Sequence, residues 1–144
     1  MALTELRAMM LDRMAEGALA TGDLARHVAT VAWFGERLAD GDTHAAYVID
    51  VPGGGVVACA TGVVGTSGAP IPGIGRALTG EVSTVVTRPE VRGRGHARAC
   101  VEAVLAWMDG LGVARAGLSA TPDGESLYRS LGFTTRPWTP MWRH

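Results

Sequence analysis

An arginine- and glycine-rich stretch, Arg92-Gly-Arg-Gly-His-Ala-Arg98, lies between a predicted strand and the start of a predicted helix. The first turn of a helix leaves backbone N–H groups unpaired, and the helix dipole favours negative charge there. The two glycines carry no side chain, so a phosphate group can approach the backbone. The three arginines add positive charge at the same place. The stretch therefore predicts a pyrophosphate-binding site.

Two common phosphate motifs do not fit this stretch. The P-loop motif requires Gly-Lys-Ser/Thr at its end, and none is present. The dinucleotide motif requires a third glycine where Arg98 stands. Taken alone, the two glycines are also typical of an exposed turn with solvated arginines. A nucleotide or dinucleotide binder that uses the same loop is a further alternative.

Hydrophobic periodicity places the stretch inside a β-α-β unit. Residues 81–87 are rich in valine and threonine and predict a strand that Pro89 ends. Residues 95–109 are apolar on two faces and predict a helix that is largely buried against a sheet. Residues 114–119 predict the next strand. Strands joined by such a crossover are parallel neighbours.

The other predicted elements follow from the same periodicities. In chain order they are two helices within residues 1–39, a hairpin of strands 45–51 and 56–64, a long irregular loop over 65–80, a short helix over 123–131, and a last strand or hairpin over 133–144 that Pro137 and Pro140 interrupt.

Length and charge narrow the class of protein. The chain has 144 residues, of which 47% are hydrophobic and 19% charged, and its net charge is −1. We expect one domain over residues 1–144, because this length is typical of a single domain with its own core. The balanced charge predicts neither a nucleic-acid partner nor an anionic membrane surface.

Cys59 and Cys100 have neither metal-ligand spacing nor the spacing of a redox pair, and we expect two buried free thiols. No apolar run is long enough to span a bilayer. The first residues include Glu5 and Asp12, which a signal peptide would lack. We therefore expect a cytoplasmic protein with no membrane partner, and the histidine spacing predicts no metal site.

The stretch from Glu81 to Ala97 resembles the acetyl-CoA-binding core of the GCN5-related N-acetyltransferase (GNAT) family. The family signature is Gln/Arg-x-x-Gly-x-Gly/Ala after a strand and a Pro-containing turn, and Arg92, Gly95 and Ala97 fill it. Farther along, residues 126–133, Ser-Leu-Tyr-Arg-Ser-Leu-Gly-Phe, are similar to the Leu-Tyr-x-x-x-Gly-Phe segment of the family. The resemblance covers residues 81–133 by motif, and the hairpin 45–64 and the helices 1–39 by topology only.

The resemblance implies an α/β fold of the GNAT type. Its sheet is mixed and mostly antiparallel, has helices on both faces, and is split between the two parallel strands 81–87 and 114–119. The central strand carries a bulge beside which the pantetheine arm of the cofactor binds. The chain starts almost at the first helix, so the first strand of the family is short or missing here.

The resemblance also implies direct transfer of an acetyl group from acetyl-CoA to an amine, without a covalent intermediate and without a metal. Tyr128 matches the general acid that protonates the leaving thiolate, and Glu81 matches a position that is a base in some members and an orienting carboxylate in others. The N–H of Val86 or its neighbour would stabilise the developing oxyanion. The implied cofactor-binding residues are Val85, Val86, Thr87, Arg92, Gly93, Arg94, Gly95, His96, Ala97 and Thr121.

The acceptor is left open by the sequence. A small-molecule amine or a peptide fits, and no acidic cluster indicates a polycationic substrate. Trp138 and Trp142 lie in a segment that pairs subunits or lines the acceptor pocket in the family, so a homodimer is consistent with the resemblance. Thr121 stands where the family has an asparagine. The alternative function is a GNAT-like module that binds acyl-CoA without turnover.

Overall fold

The computed structural model describes Glu36, Leu38, Ala39, residues 41–72 and residues 75–143. Glu36 and Leu38 are helical. The two helices predicted within residues 1–39 otherwise lie outside the described residues, as does the expectation of a short or missing first strand. The described elements are β1 (His44–Val51), β2 (Gly55–Ile71), β3 (Gly75–Thr87), a 3-10 turn (Pro89–Val91), α1 (His96–Gly110), β4 (Arg115–Gly117) and α2 (Glu125–Ser130).

The four strands form one sheet in the order β1-β2-β3-β4. β1 pairs with β2 and β2 with β3 in antiparallel fashion, whereas β3 and β4 are parallel. The crossover from β3 through α1 to β4 is the β-α-β unit expected from the sequence. The prediction of a mixed, mostly antiparallel sheet with a parallel pair at the split is confirmed.

The prediction of an irregular loop over residues 65–80 is wrong. β2 continues to Ile71 and β3 starts at Gly75, so the two strands form one long hairpin. Its glycines and prolines argued against a strand, but this part of β2 extends beyond β1, whose first residue, His44, pairs with Val63. Among the described residues, β2 there has a neighbour on one side only, and an edge strand tolerates proline because one row of amides needs no partner.

The prediction of a last strand or hairpin over residues 133–144 is also wrong, because residues 133–143 contain no strand. Pro137 and Pro140 have no N–H to donate to a sheet. Trp138 and Trp142 are 72% and 81% exposed. The homodimer suggested for this segment stays a prediction.

A β-bulge interrupts the pairing of β3 with β2. The register shifts where β2 advances two residues, 59 to 61, while β3 moves three, 86 to 83. Within the bulge, Thr84 has a φ of +48°, a left-handed conformation that is rare for a β-branched residue. Thr84 is nonetheless buried, and its carbonyl accepts a hydrogen bond from the Cys59 thiol at 3.4 Å. The bulge implied by the resemblance is therefore present.

Helix α1 packs on one face of β1, β2 and β3 and forms the core with them. Val101, Val104 and Met108 are almost completely buried there. Both cysteines are buried and free, as expected. Within the described part of the chain, no helix is long and apolar enough to cross a membrane.

Two glycines allow the close approach of α1 to the sheet. A Cβ at Gly62 would lie 2.7 Å from Val104 Cγ1 and 2.9 Å from Trp107 Cζ3. A Cβ at Gly80 would lie 2.6 Å from Met108 Sδ. Such distances are well inside van der Waals contact. The helix therefore rests directly on the backbone of β2 and β3.

We expect Gly62→Ala to lower the free energy of unfolding by about 1–3 kcal/mol, because the added methyl group overpacks the contact between helix and sheet. The matched control is Gly65→Ala in the same strand, where an added Cβ has no neighbour within 4 Å. Urea denaturation of both variants measures the difference. Equal stability of the two would show that α1 does not rest on Gly62.

Candidate active site

A cleft of about 700 Å³ opens where β3 and β4 diverge. β3 pairs with β4 only from Thr79 to Glu81, and after Glu81 the two strands diverge. Three segments form the cleft, namely the end of β3, the turn that leads into α1, and the start of α2. The lining residues are Val85, Val86, Thr87, Pro89, Val91, Arg92, Gly93, Gly95, His96, Ala97, Arg98, Thr121, Asp123, Gly124, Leu127 and Tyr128.

At the end of β3, the backbone N–H and C=O groups of successive residues point alternately toward β2 and toward the cleft. Arg88 donates its N–H to Val57 O at 2.8 Å, so Arg88 faces β2. Alternate residues of a strand point their polar groups the same way, so Val86 also faces β2 and Thr87 faces away. The carbonyl of Thr87 accepts a hydrogen bond from Arg92 Nε at 3.2 Å. The backbone of Thr87 is therefore on the cleft side.

The turn before α1 adopts the conformation that its glycines permit. Gly93 and Gly95 have φ values of +76° and +80°, and Gly95 is the N-cap of the helix. The first helical hydrogen bond runs from Ala99 N to Gly95 O at 3.0 Å. No side chain caps this end, and no acidic residue lies in the first turn. The orphan N–H groups at the helix start are thus available to an anion.

The three arginines of this stretch are not equivalent. Arg92 and Arg98 line the cleft, whereas Arg94 is exposed and does not. Arg98 forms an ion pair with Glu102 at 3.4 Å and also donates to Ser130 Oγ, so its charge is partly compensated. Arg92 is the cleft's principal source of positive charge.

One residue that lines the cleft, Thr87, has a buried hydroxyl without a partner. Among the side chains that the structure describes, the only buried polar atom with no hydrogen bond is Thr87 Oγ1. An unsatisfied buried group of this kind costs about 1–3 kcal/mol. The carbonyl of the same residue faces the cleft. Polar backbone groups on the cleft side suit an extended ligand with amide groups, such as a pantetheine arm.

Tyr128 stands at the inner end of the cleft, on α2. Its side chain is buried and its ring contacts Phe133 edge-on, with 6.1 Å between ring centroids. A Cβ at Gly124 would lie 3.0 Å from Tyr128 Cε2, so the glycine makes room for the ring. Burial raises the pKa of the Tyr128 phenol above its ordinary value of 10.0.

The cleft brings together most of the site residues predicted from the sequence, including His96 and Thr121. Glu81 lies elsewhere: it is exposed, pairs with Gly117 where β3 and β4 part, and lines neither this cleft nor the second one described below. Its role as a base or an orienting carboxylate stays a prediction.

Several lining residues were missed from the sequence. Gly124 lies four residues before Tyr128, a spacing that places it beside the tyrosine on one helix face. Helical spacing around the tyrosine would therefore have found Gly124, whereas Leu127, the residue directly before Tyr128, does not follow from that spacing. Pro89 and Val91 belong to the 3-10 turn, for which the sequence contains no comparable pattern.

A model of the acetyltransferase (GNAT) family matches residues 16–133 of the chain. No curated protein matches the chain. Among solved structures, the chain is similar to a GCN5-related N-acetyltransferase from Ralstonia eutropha, with 23% identity and a TM-score of 0.74 over 99% of this chain and 90% of that one.

Two other solved structures share the fold. A predicted acetyltransferase from Clostridium acetobutylicum, whose structure contains acetyl-CoA, is 20% identical with a TM-score of 0.75 over 97% of this chain and 87% of that one. Glucosamine-6-phosphate N-acetyltransferase from Arabidopsis thaliana is 16% identical with a TM-score of 0.73 over 99% and 92%. At these identities the likeness extends to the fold alone.

We expect Gly95→Asp to raise the Kd for acetyl-CoA by about tenfold or more, because a carboxylate at the helix N-terminus repels phosphate. The matched control is Gly112→Asp, which has a similar φ of +78° and equally open space near the C-terminal end of α1. Calorimetric titration of both folded variants measures the difference. Unchanged affinity in Gly95→Asp would contradict the phosphate assignment.

Proposed function

The chain belongs to the GNAT acetyltransferase family, and we propose that it transfers an acetyl group from acetyl-CoA to an amine by direct attack in a ternary complex. The observation that carries the proposal is one cleft that joins a bulged strand, an uncapped helix N-terminus and a buried tyrosine. The first two features suit an extended phosphate-containing ligand, and the third suits proton donation. Acetyl-CoA supplies the thioester and the thiol leaving group.

Binding would use the residues around the start of α1 and the end of β3. The N–H groups of the first helical turn, together with Arg92, would hold the pyrophosphate. The Thr87 backbone would hydrogen-bond the amides of the pantetheine arm. Holding two reactants in fixed positions supplies a large part of the rate enhancement in such reactions.

Val86 and its neighbours would contribute differently to the reaction. Because Val86 faces β2, its N–H is directed away from the cleft. The oxyanion donor is then best assigned to a neighbour whose amide faces the cleft. Backbone donors fixed in advance stabilise charge that develops during acyl transfer.

Tyr128 is the candidate general acid. Its raised pKa keeps the phenol protonated through neutral and moderately alkaline pH, so a proton is available for the departing thiolate. Phenol O–H is also a hydrogen-bond donor. Glu81, exposed where the strands part, is proposed as a base that acts through water or as an orienting carboxylate.

The two cysteines support direct transfer. Neither lines the cleft, and burial raises the pKa of both thiols, that of Cys59 to about 12. A thiol that remains protonated is a poor nucleophile. An acetyl-cysteine intermediate therefore has no suitable residue here.

The proposed function is tested by thiol release from acetyl-CoA in the presence of small amines, amino acids, amino sugars and peptides. We expect release that depends on the amine and yields the N-acetylated product by mass spectrometry. Acetyl-CoA binding is measured in the same sample. Binding with no thiol release for any amine would instead indicate a module that binds acyl-CoA without turnover.

We expect Tyr128→Phe to lower kcat more than about tenfold, within the range that a general acid contributes. The Kd for acetyl-CoA should change little, because the ring and its packing on Phe133 are kept. Steady-state kinetics and calorimetry measure the two quantities. Wild-type kcat in the variant would exclude the acid role.

The pH profile gives an independent check. An alkyl amine has a pKa near 10.4 and must lose its proton to attack, so kcat/KM should rise with pH. Because the phenol pKa is raised from 10.0, Tyr128 should cause no falling limb below pH 10. A fall near pH 8 that disappears in Tyr128→Phe would contradict the raised pKa of the phenol, although it would still identify Tyr128 as the acid.

A further inference from the structure

A second cleft, of about 640 Å³, lies between β4 and the C-terminal segment. One side is formed by residues 116–120 and the other by residues 133–140, with α2 between them. Tyr128 lines this second cleft as well as the first. A molecule in the second cleft would therefore lie beside the same residue as a thioester in the first. The volume is within the range of small-molecule sites, about 300–1,000 Å³.

The second cleft carries one uncompensated positive charge. The carboxylate that lines this cleft belongs to Glu125. Arg129, which also lines it, donates from Nε and Nη2 to Glu125 Oε1, at 2.9 and 2.7 Å. That pair is neutral overall. Arg136 also lines the cleft, and within residues 41–72 and 75–143 no carboxylate forms an ion pair with it. Its guanidinium is therefore available to a ligand.

The rest of the lining suits a small polar molecule. Hydroxyl groups come from Ser119, Thr134, Thr135 and Thr139, and Trp138 offers an exposed aromatic surface. Hydroxyls donate and accept hydrogen bonds, and an indole ring packs against the C–H groups of a polar ligand. A guanidinium binds carboxylates and phosphates through paired N–H groups.

We propose that the second cleft is the acceptor site and selects a small amine that bears a carboxylate or phosphate group, with the anion on Arg136 and the amine toward Tyr128. This inference rests on the proposed function, because it names the class of acceptor for the same reaction. The amine loses one proton and gains the acetyl group, and the thiol of CoA takes up a proton. No further reactant is needed.

The experiment compares matched acceptors that differ in the anionic group. The pairs are glycine with glycinamide, and glucosamine 6-phosphate with glucosamine, so one arm tests a carboxylate and the other a phosphate. We expect kcat/KM for thiol release to favour the anionic member of at least one pair by about tenfold or more. Rates are compared at pH values where each pair has the same fraction of neutral amine.

Two arginine variants test whether Arg136 binds the anionic group of the acceptor. Arg136→Gln should abolish the preference, by raising KM for the anionic member while leaving the neutral member unchanged. Arg143→Gln is the matched control: Arg143 is exposed in the same segment and lines neither cleft. We expect it to keep the preference. Equal use of both members by the wild type, or a preference that survives in Arg136→Gln, would overturn the inference.

The two proposals fail in distinguishable ways. If neutral and anionic amines react equally, the acetyltransferase function stands and the selection of an anion is wrong. If no amine reacts although acetyl-CoA binds, the proposed function is wrong. In that case, calorimetric binding of glycine or glucosamine 6-phosphate that Arg136→Gln abolishes would still support the cleft as a site for anionic amines. The absence of such binding would overturn it.

Discussion

The left-handed backbone of Thr84 is the constraint on which the site depends. A residue held in this conformation costs about 1–3 kcal/mol, so surrounding contacts must maintain it. Thr84 is 3% exposed, its carbonyl accepts from the Cys59 thiol, and Thr61 Oγ1 donates to Ser83 O at 2.8 Å beside it. The bulge that results changes the course of β3 at Thr84, three residues after its last pair with β4 at Glu81. The cleft exists because these two strands share three pairs and then part.

Helix α1, whose N-terminus lies at the cleft, is positioned by the absence of side chains beneath it. Gly62 and Gly80 allow the C-terminal half of α1 to rest on strand backbone, while its N-terminus lies at the cleft. Overpacking at these glycines would therefore act at a distance, since tilting the helix moves its N–H groups relative to β3. Stability and ligand binding are linked through this one contact, because interiors packed at crystal-like density transmit displacement.

Local sequence patterns were sufficient to predict part of this arrangement. The glycines at 93 and 95 stand out against the valine-rich strand before them, and the helix after them was predicted to within one residue at each end. Both parallel strands were predicted as elements, but β3 begins at Gly75 and not at residue 81, and β4 spans only Arg115–Gly117. The bulge was expected only from the family resemblance, because residues 82–87 are as β-branched as any regular strand. The long hairpin was missed because its prolines are acceptable only where β2 has no second neighbour, and that depends on where β1 begins. The second cleft depends on how residues 133–140 lie against β4, which no periodicity encodes.

Burial of Tyr128 has consequences for both reactants. Its pKa rises because the low-dielectric surroundings disfavour the phenolate. The same surroundings disfavour an ammonium ion, so an amine brought beside this ring would be more easily deprotonated than in water. Burial around Tyr128 thus favours a protonated phenol and a neutral amine together. Gly124 and Phe133 hold the ring in place on either side. The phenol is therefore positioned by packing, and its protonation state follows from the same packing.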